Sequence, residues 1–465
     1  PGVKAGVVLA ENIVPRTPQA NSRVFTYITG MTIRERTDVA VIGSGPGGAT
    51  VARQLARAGR RVTLLERGRD WRRNPLHGTY PGALLYADRH ALLFTRQGMN
   101  IIRPLMLGGA TSMYAGCSAD PRPWWHDRYG IDLAPYLRKA RKQLGVATLA
   151  PELRGEASTR IADAGRDLGM DWQPQEKFMR PARAPKFSRR CGARCLVGCR
   201  CGAKWNAAEF VDDAVEAGAS LWTGAHVERV RIRDGHATGV VGLRRGQEFE
   251  LEADTVVVAA GGIGTPVLLR ASGLAGAGRG MTMDTTVMVY GHAPFKGIGK
   301  DPPMTWSCPD DDLGVLYSTL IDPWLMYPII MMAKGPAYPL TWHRWGRTLG
   351  VMIKLKDEVS GEVENDGTVS KGLTSHDRER FARAGEVAGR ILKQAGCKPD
   401  TIFSTPLRGT HPSGTVRIGD MLDTELRTEV EGLYVCDASV FPEALARPTV
   451  LTIVSLGLRL AARLQ

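Results

Sequence analysis

The sequence predicts an α/β fold with two domains, the second of α+β type. Residues 38–68 run from an apolar strand through a glycine-rich turn and a small-residue helix into a second strand. Residues 222–264 alternate apolar and polar side chains through three strand-like stretches and end in a buried-strand run with a glycine pair after it. The chain returns at 432–464 to a strand, a loop and a closing helix. The first domain is therefore expected to be discontinuous in sequence.

The composition is that of a folded protein without a membrane-spanning helix. Of the 465 residues, 43% are hydrophobic and 23% are charged. Glycine, proline or charged residues interrupt every apolar run before it reaches the roughly 18 to 20 residues that a spanning helix needs. The formal net charge of +14 is spread along the chain, without a dense basic arm or a recognition-helix pattern. We therefore expect no nucleic-acid partner, which leaves an anionic membrane surface or an acidic redox partner open.

The first 37 residues predict an extended arm. They lack the positively charged start, long apolar core and cleavage site of a secretory signal peptide. This favours a cytoplasmic protein or one attached peripherally to a membrane.

Residues 38–68 carry the strongest local motif. An apolar strand at 39–42 leads into G-x-G-x-x-G, which is followed by a helix at 49–58 and a strand at 61–65. In this context the glycines permit a tight turn, close approach of the backbone to a pyrophosphate and close helix–strand packing, while the acidic residue after the second strand accepts hydrogen bonds from a ribose. The motif predicts a Rossmann-like dinucleotide-binding unit. Its expected contact residues are Gly43, Ser44, Gly45, Gly47, Gly48, Glu66 and Arg67.

Five further motifs follow along the chain. They are GGATS at 108–112, AHVERV at 225–230, AAGGIGTP at 259–266, THPSGTVRIGD at 410–420 and LYVCDASVFPEALARPTVLTI at 433–453. With the glycine motif before them, they resemble the glucose-methanol-choline (GMC) flavoprotein oxidoreductases in order and approximate spacing. The resemblance implies a bound FAD, a discontinuous FAD-binding domain beside an antiparallel-sheet substrate domain, and oxidation of an alcohol by hydride transfer to the flavin.

On this resemblance the chain divides into six segments. The division is an N-terminal arm at 1–37, FAD-binding parts at 38–120, 206–275 and 410–465, a cap with the cysteine-rich segment at 121–205, and the substrate domain at 276–409. An amphipathic helix is expected at about 375–396 within the substrate domain.

The resemblance also implies further FAD contacts. Val227 is expected at the adenine, Ala260 and Gly261 beside the dinucleotide, and Asp437 and Ala438 near the pyrophosphate and the ribityl chain. The glycine-paired loop is expected to cover the cofactor. Its contact residues are Gly108, Gly109, Ala110, Thr111 and Tyr114.

The C-terminal segment predicts a helix whose N-terminus faces the flavin. Pro448 suits the first helical position, so the helix from Thr449 to Leu464 would present free N–H groups and its positive dipole end. At the flavin pyrimidine edge, as in the family, that end would stabilise the negative charge of the reduced ring.

His411 and Arg447 are the predicted catalytic residues. An imidazole can take the hydroxyl proton as hydride leaves the carbon, and His411 lies in the segment that resembles the catalytic histidine motif of the family. Arg447 stands where similar hexose dehydrogenases have Asn. A guanidinium cannot act as a base, so we expect Arg447 to stabilise reduced flavin or bind substrate. The alternative is a structural salt bridge.

Four cysteines lie within eleven residues, as C-x3-C-x3-C-x-C: Cys191, Cys195, Cys199 and Cys201. Thiolates at this density favour an iron–sulfur cluster, because zinc knuckles usually place two residues between ligands. The segment is similar to that of iron–sulfur FAD-dependent hexose dehydrogenases and of long-chain alcohol oxidases. The first three cysteines suit 3Fe–4S, and Cys201 would permit 4Fe–4S. Zinc, another metal, disulfides and free thiols are the alternatives.

The expected function is that of an FAD-dependent alcohol dehydrogenase, with electrons leaving through the cluster to a cytochrome c or another carrier. Residues 322–346 are rich in Trp, Met, Tyr and Pro. They indicate a substrate-domain core, an apolar substrate tunnel, or contact with a membrane or a small accessory subunit. A hydrophobic alcohol is the favoured substrate. The alternatives are an oxygen-using oxidase without a cluster and a non-catalytic flavin or iron–sulfur electron-transfer subunit.

Overall fold

The computed structural model describes residues 32–183, 194–332, 335 and 338–465, with the side chains of 338, 339 and 341 left out. Most of the predicted arm and Cys191 lie outside the described residues. The helices of the described residues are α1 (Pro46–Arg57), α2 (Tyr80–Tyr86), α3 (Trp124–Asp127), α4 (Ala134–Leu144), α5 (Glu156–Asp167), α6 (Ala208–Glu216), α7 (Gly261–Ala271), α8 (Tyr327–Met331), α9 (Ser375–Gln394) and α10 (Val450–Leu464).

The strands form two large sheets and two two-stranded sheets, β5-β7 and β16-β17. They are β1 (Ile33–Ile42), β2 (Val62–Glu66), β3 (Leu93–Phe94), β4 (Asn100–Ile101), β5 (Ala147–Thr148), β6 (Gln173–Pro174), β7 (Glu176–Lys177), β8 (Ser220–Thr223), β9 (Ala225–Arg233), β10 (His236–Arg244), β11 (Gln247–Val258), β12 (Thr286–His292), β13 (Trp306–Asp310), β14 (Val315–Thr319), β15 (Thr348–Leu355), β16 (Glu362–Val363), β17 (Val369–Ser370), β18 (Phe403–Ser404), β19 (Arg408–Gly409) and β20 (Leu433–Val435).

The first sheet contains the glycine motif. Its order is β8-β2-β1-β11-β10-β9, and β20 pairs with the C-terminal end of β11. Strands β8, β2, β1, β11 and β20 are parallel, whereas β9 to β11 form an antiparallel meander. β1 begins at Ile33, six residues before the predicted start, because residues 33–37 pair with 249–253 of the long β11. Helix α1 packs against α6 and α10, and this layer holds the first core.

The second sheet is almost entirely antiparallel. Its order is β3-β4-β19-β12-β15-β14-β13-β6, with β18 also on β12. Helices α5 and α9 pack against it and bury a second core. Helix α9 begins with a capping box between Thr374 and Asp377, which is why the predicted amphipathic helix starts at 375. The α/β class with an antiparallel second sheet is confirmed.

Within the described ranges, no helix combines the length and the apolar character that crossing a bilayer requires.

Candidate functional site

The candidate cofactor site lies at the carboxyl ends of the parallel strands, where β1, β2, β11 and β20 meet. At Gly43 (φ +103°), a Cβ would lie 2.2 Å from the carbonyl oxygen of Ala259, and at Gly48 it would lie 2.0 Å from that of Gly43. Only glycine fits at these two positions. Gly45 differs, because a Cβ there would meet no atom within 4 Å. The turn is thus closely packed on its protein side and open at Gly45, as a backbone that cradles a pyrophosphate requires.

Glu66 is buried at the end of β2 and holds the glycine turn. Its Oε2 accepts from the Ser44 amide at 3.0 Å and from the Ser44 hydroxyl at 2.6 Å, and its Oε1 accepts from the Gly68 amide at 2.6 Å. A carboxylate offers about four acceptor positions. Three are used here, and one on Oε1 is left for a hydroxyl such as that of a ribose. Arg67 follows on the exposed surface.

The glycine-paired loop packs against the same turn. The Gly108 amide donates to the Ser44 hydroxyl at 3.0 Å, and a Cβ on Gly109 would lie 3.1 Å from Gly45 Cα. The loop continues as a short 3₁₀ turn at Gly109–Ser112, with Thr111 buried and Ala110 exposed. The two glycine segments therefore form one wall of the site.

Tyr114 has a partner within the protein. Its hydroxyl donates to the carbonyl of Trp205 at 2.9 Å, and the ammonium of Lys204 lies 4.6 Å from its ring centroid. Burial raises the pKa of Tyr114 well above its ordinary value. A direct contact between Tyr114 and the cofactor stays a prediction.

Asp437 joins the second and third FAD-binding parts. Its carboxylate accepts from the amides of Gly261 at 2.8 Å and Ser439 at 2.7 Å and from the hydroxyl of Thr265 at 2.5 Å. It therefore caps α7 and fixes the loop after β20. Ala260 precedes α7 and Ala438 follows Asp437, and both are half-buried.

Val227 lies on the meander rather than in the parallel part of the sheet. It is buried on β9 and pairs with Gly242 of β10. Its predicted contact with an adenine stays untested.

Helix α10 begins at Val450, one residue later than predicted. Thr449 is its N-cap, without a hydrogen bond from its side chain, and the preceding Pro448 lies outside the first turn. The placement of Pro448 at the first helical position is therefore wrong. At Gly47 a Cβ would lie 3.3 Å from Ile453 Cγ2 and 1.8 Å from the carbonyl oxygen of Cys436, so the first turns of α1 and α10 meet. The leading amides of a helix have no intrahelical partners.

These features fit a dinucleotide cofactor of the FAD type. The open backbone at Gly45 and the spare acceptor on Glu66 suit a pyrophosphate and a ribose. The buried hydroxyls of Ser439 and Thr452 lack hydrogen-bond partners among the described residues. Two adjacent helix N-termini also favour negative charge at this edge.

His411 lies in a pair that the sequence did not reveal. Its Nδ1 is 2.8 Å from Asp284 Oδ2, and the Asp284 side chain is 1% exposed. Asp284 Oδ1 accepts from the Ala446 amide at 2.8 Å. This arrangement places a proton on Nδ1 and leaves Nε2 as the basic nitrogen. Asp284 precedes β12 and has φ +45°. No local sequence pattern predicts this backbone conformation.

A buried cation stands beside this pair. Lys354 Nζ donates to the Thr410 hydroxyl at 2.5 Å, and that hydroxyl lies 2.7 Å from the carbonyl oxygen of Asp284. Burial lowers the pKa of Lys354 to about 8. Burial and the Lys354 charge lower the pKa of His411, while Asp284 acts in the opposite direction. The imidazole is thereby kept neutral, as a base must be.

A second buried pair holds the Asp284 backbone. Asp357 accepts from the amides of Met283 at 3.1 Å and Thr285 at 3.2 Å. Lys371 Nζ lies 2.8 Å from Asp357 Oδ2, and both side chains are fully buried. These bonds stabilise the left-handed conformation between the two amides.

Arg447 forms the salt bridge that the sequence left as an alternative. Its guanidinium donates to Asp311 Oδ1 at 2.7 Å and to the carbonyl of Ala446 at 3.1 Å. Because Ala446 also binds Asp284, Arg447 is close to the histidine pair. A catalytic role for Arg447 stays a prediction.

The cysteine segment adjoins the glycine-paired loop. Cys199 and Cys201 have their sulfurs 3.5 Å apart, and Cys195 is buried. The hydrogen bond with Cys201, and then burial, raise the pKa of Cys199. Cys191 lies outside the described residues. Among the residues that are described, no three or more His, Cys, Asp or Glu side chains are arranged to hold a metal ion.

Models of the GMC oxidoreductase family match residues 47–300 and 372–457. The chain is 29% identical over 497 residues to an uncharacterized GMC-type oxidoreductase of Mycobacterium tuberculosis, covering 92% of this chain and 75% of that protein. It is 26% identical over 503 residues to a long-chain-alcohol oxidase of Arabidopsis thaliana, covering 91% and 66% respectively.

Another relative matches over a shorter region. A 2-methyl-1,2-propanediol dehydrogenase of Mycolicibacterium austroafricanum is 30% identical over 285 residues, or 51% of each chain. Among solved structures, pyridoxine 4-oxidase from Mesorbium loti superposes with a TM-score of 0.69 at 16% identity, covering 92% of this chain and 99% of that one. The chain belongs to the GMC oxidoreductase family and is a flavoprotein oxidoreductase that acts on CH–OH donors.

Proposed function

We propose that this chain is an FAD-dependent alcohol dehydrogenase in which His411 is the base. The observation that carries the proposal is the 2.8 Å hydrogen bond between His411 Nδ1 and Asp284. It orients the ring and leaves Nε2 to accept the hydroxyl proton of the substrate. FAD, when bound, supplies the hydride acceptor.

The surrounding charges support this assignment. When the substrate hydroxyl transfers its proton to Nε2, His411 becomes a cation, which the carboxylate of Asp284 stabilises. Lys354 opposes protonation before substrate arrives, so the base is available near neutral pH. We propose that Arg447 and the N-terminus of α10 favour the negative charge that accompanies hydride acceptance.

We propose a hydrophobic alcohol as the substrate. The relatives named as a long-chain-alcohol oxidase and as a 2-methyl-1,2-propanediol dehydrogenase support an alcohol. Residues 322–346 support the apolar character, because three Trp and three Met lie within them.

The electron acceptor is a separate proposal. On the cysteine spacing alone, we propose an iron–sulfur cluster at Cys191, Cys195, Cys199 and Cys201 and a protein carrier such as a cytochrome c. The described cysteines do not by themselves form a metal site. Oxygen is the second candidate acceptor, favoured by the relatives and structural neighbours that are named oxidases.

The test is anaerobic flavin reduction by a panel of alcohols from short diols to long-chain alcohols. His411→Ala should bind FAD, as its visible spectrum would report, yet reduce it at least about a hundredfold more slowly. His126→Ala is the matched control, because its side chain is 73% exposed. Full-rate reduction in His411→Ala would remove His411 from the mechanism.

Iron, acid-labile sulfide and peroxide measurements separate the two acceptors. Iron and sulfide in stoichiometric amounts, with little peroxide, would support the dehydrogenase. Peroxide produced at the rate of alcohol oxidation by an iron-free protein would support the oxidase and reject the cluster.

A further inference from the structure

Exposed apolar side chains are concentrated in two segments of this protein. Of fourteen exposed large apolar residues in the described part of the chain, ten lie within 76–102 or 324–340. The two segments touch, because Tyr80 of the first and Trp324 of the second line the same depression. The exposed side chains of these two segments, Leu84 and Leu85 in the first and Trp324, Ile329, Met332 and Leu340 in the second, are called the apolar patch.

The patch is presented by short, well-anchored elements. Leu84 lies one turn after Tyr80 on α2, so both share a face. Trp324 stacks on Trp342 with ring centroids 4.2 Å apart, and the Trp342 indole N–H donates to the Trp324 carbonyl at 2.9 Å. Ile329 is 57% and Met332 59% exposed. Such concentration of apolar surface marks a contact site.

The exposed charged side chains of the second segment are basic. Residues 324–347 contain no Asp or Glu, and Arg344 and Arg347 are exposed there. Arg89 is exposed in the turn that follows α2. The whole chain carries +14. A second copy of this patch would be repelled by the like charge, whereas an anionic surface would be attracted.

We propose that the apolar patch docks on the surface of an anionic phospholipid bilayer, with its aromatic and aliphatic side chains in the interface and its basic residues at the headgroups. Tryptophan favours the level of the headgroups, and adjacent Lys and Arg add electrostatic attraction. The mode is peripheral, since the patch lies on α2, α8 and their loops. It does not depend on the proposed catalytic function.

The location has a structural consequence. Tyr80, Trp324 and Trp345 also line a small depression of about 30 Å³, together with Asp301 and Asp322. Docking would place this depression at the bilayer, where apolar alcohols are concentrated.

The test is co-sedimentation of the FAD-loaded protein with vesicles of phosphatidylcholine and phosphatidylglycerol in equal parts. Wild type should bind these vesicles and bind pure phosphatidylcholine more weakly. The double variant Ile329→Asp with Met332→Asp should lose at least about tenfold in partition coefficient. Leu243→Asp, on β10 and 36% exposed, is the matched control and should bind like wild type.

A second readout locates the contact. Brominated lipids should quench the tryptophan fluorescence of wild type and not that of the double variant. The proposal is overturned if wild type does not sediment with anionic vesicles, or if the double variant binds as wild type does. A dimer that the double variant dissociates would assign the patch to a second copy and also overturn it.

Discussion

Replacing Asp284 by Asn should slow flavin reduction by alcohol without releasing FAD. The carboxylate lies 2.8 Å from His411 Nδ1 and is almost completely buried. A hydrogen bond to a charged group contributes about 1.5–3 kcal/mol. Because the charge on His411 develops in the transition state, this energy corresponds to a rate loss of roughly ten- to hundredfold.

A change in the tautomer of His411 should add to the rate loss in Asp284→Asn. Asn can still accept from the Ala446 amide, which Asp284 Oδ1 does at 2.8 Å. Its other atom is then an NH₂ group facing His411 Nδ1. That group favours the tautomer protonated on Nε2, which cannot act as the base.

The assay is anaerobic stopped-flow reduction of the bound flavin, with Asp254→Asn as the control. The Asp254 side chain is 60% exposed in β11, so its variant should react like wild type. Adding His411→Ala to Asp284→Asn should cost little beyond His411→Ala alone, since the two residues act as a unit. An unchanged rate in Asp284→Asn, with FAD retained, would refute the orienting role of the carboxylate.

Three further predictions concern the buried lysines Lys354 and Lys371. Lys354→Met removes a cation that lowers the pKa of His411, so the acid limb of flavin reduction should move to higher pH. A pH–rate profile with an unmoved limb would contradict this. The same variant should lose a pH dependence of the free energy of unfolding, because burial lowers the pKa of Lys354 from 10.5 to about 8. Between pH 8 and 10.5 the folded chain has released this proton and the unfolded chain still holds it. The free energy of unfolding of wild type should therefore rise with pH through this range, whereas that of Lys354→Met should not, as urea titrations can measure. Lys371→Met leaves the Asp357 carboxylate buried without its cation and should destabilise the fold by about 3–5 kcal/mol. Urea unfolding would show this, and adding Asp357→Asn should recover part of the loss.

The glycine motif could be predicted because its information is local. Gly43, Gly45 and Gly48 occur within six residues, and the strands and the helix flank them directly. The steric contacts at Gly43 and Gly48 match the roles that the motif assigns. The early start of β1 could not be predicted, because residues 33–37 are ordered by pairing with β11, more than two hundred residues away.

The histidine pair shows the opposite case. His411 was found through its motif, but its partner Asp284 lies 127 residues earlier. No periodicity links them, and the positive φ of Asp284 depends on Asp357 and Lys371 from yet other segments. Lys354 was missed for a related reason, since a lysine in a strand is usually exposed. Its burial follows from the position of β15 between β12 and β14.

Two more buried lysines explain how the cysteine segment is placed beside the cofactor site. Lys204 Nζ donates to the carbonyls of Ser112, Tyr114 and Cys195 at 3.2, 2.8 and 2.9 Å. An ammonium has three protons, so these acceptors satisfy it. Burial nevertheless lowers the pKa of Lys204 to about 8. The bonds join the cysteine segment to the end of the glycine-paired loop.

Lys177 continues the connection to the second sheet. Its Nζ donates to the Ala115 and Pro303 carbonyls at 2.9 and 2.6 Å and lies 3.2 Å from Cys117 Sγ. Residues 112–117 are thus held from both sides by buried ammonium groups. An apolar replacement of Lys177 would leave buried carbonyls without donors, which costs more than the bonds themselves contribute. The loop that packs against the dinucleotide turn is therefore held by buried ammonium groups to the cysteine segment on one side and to the segment before β13 on the other.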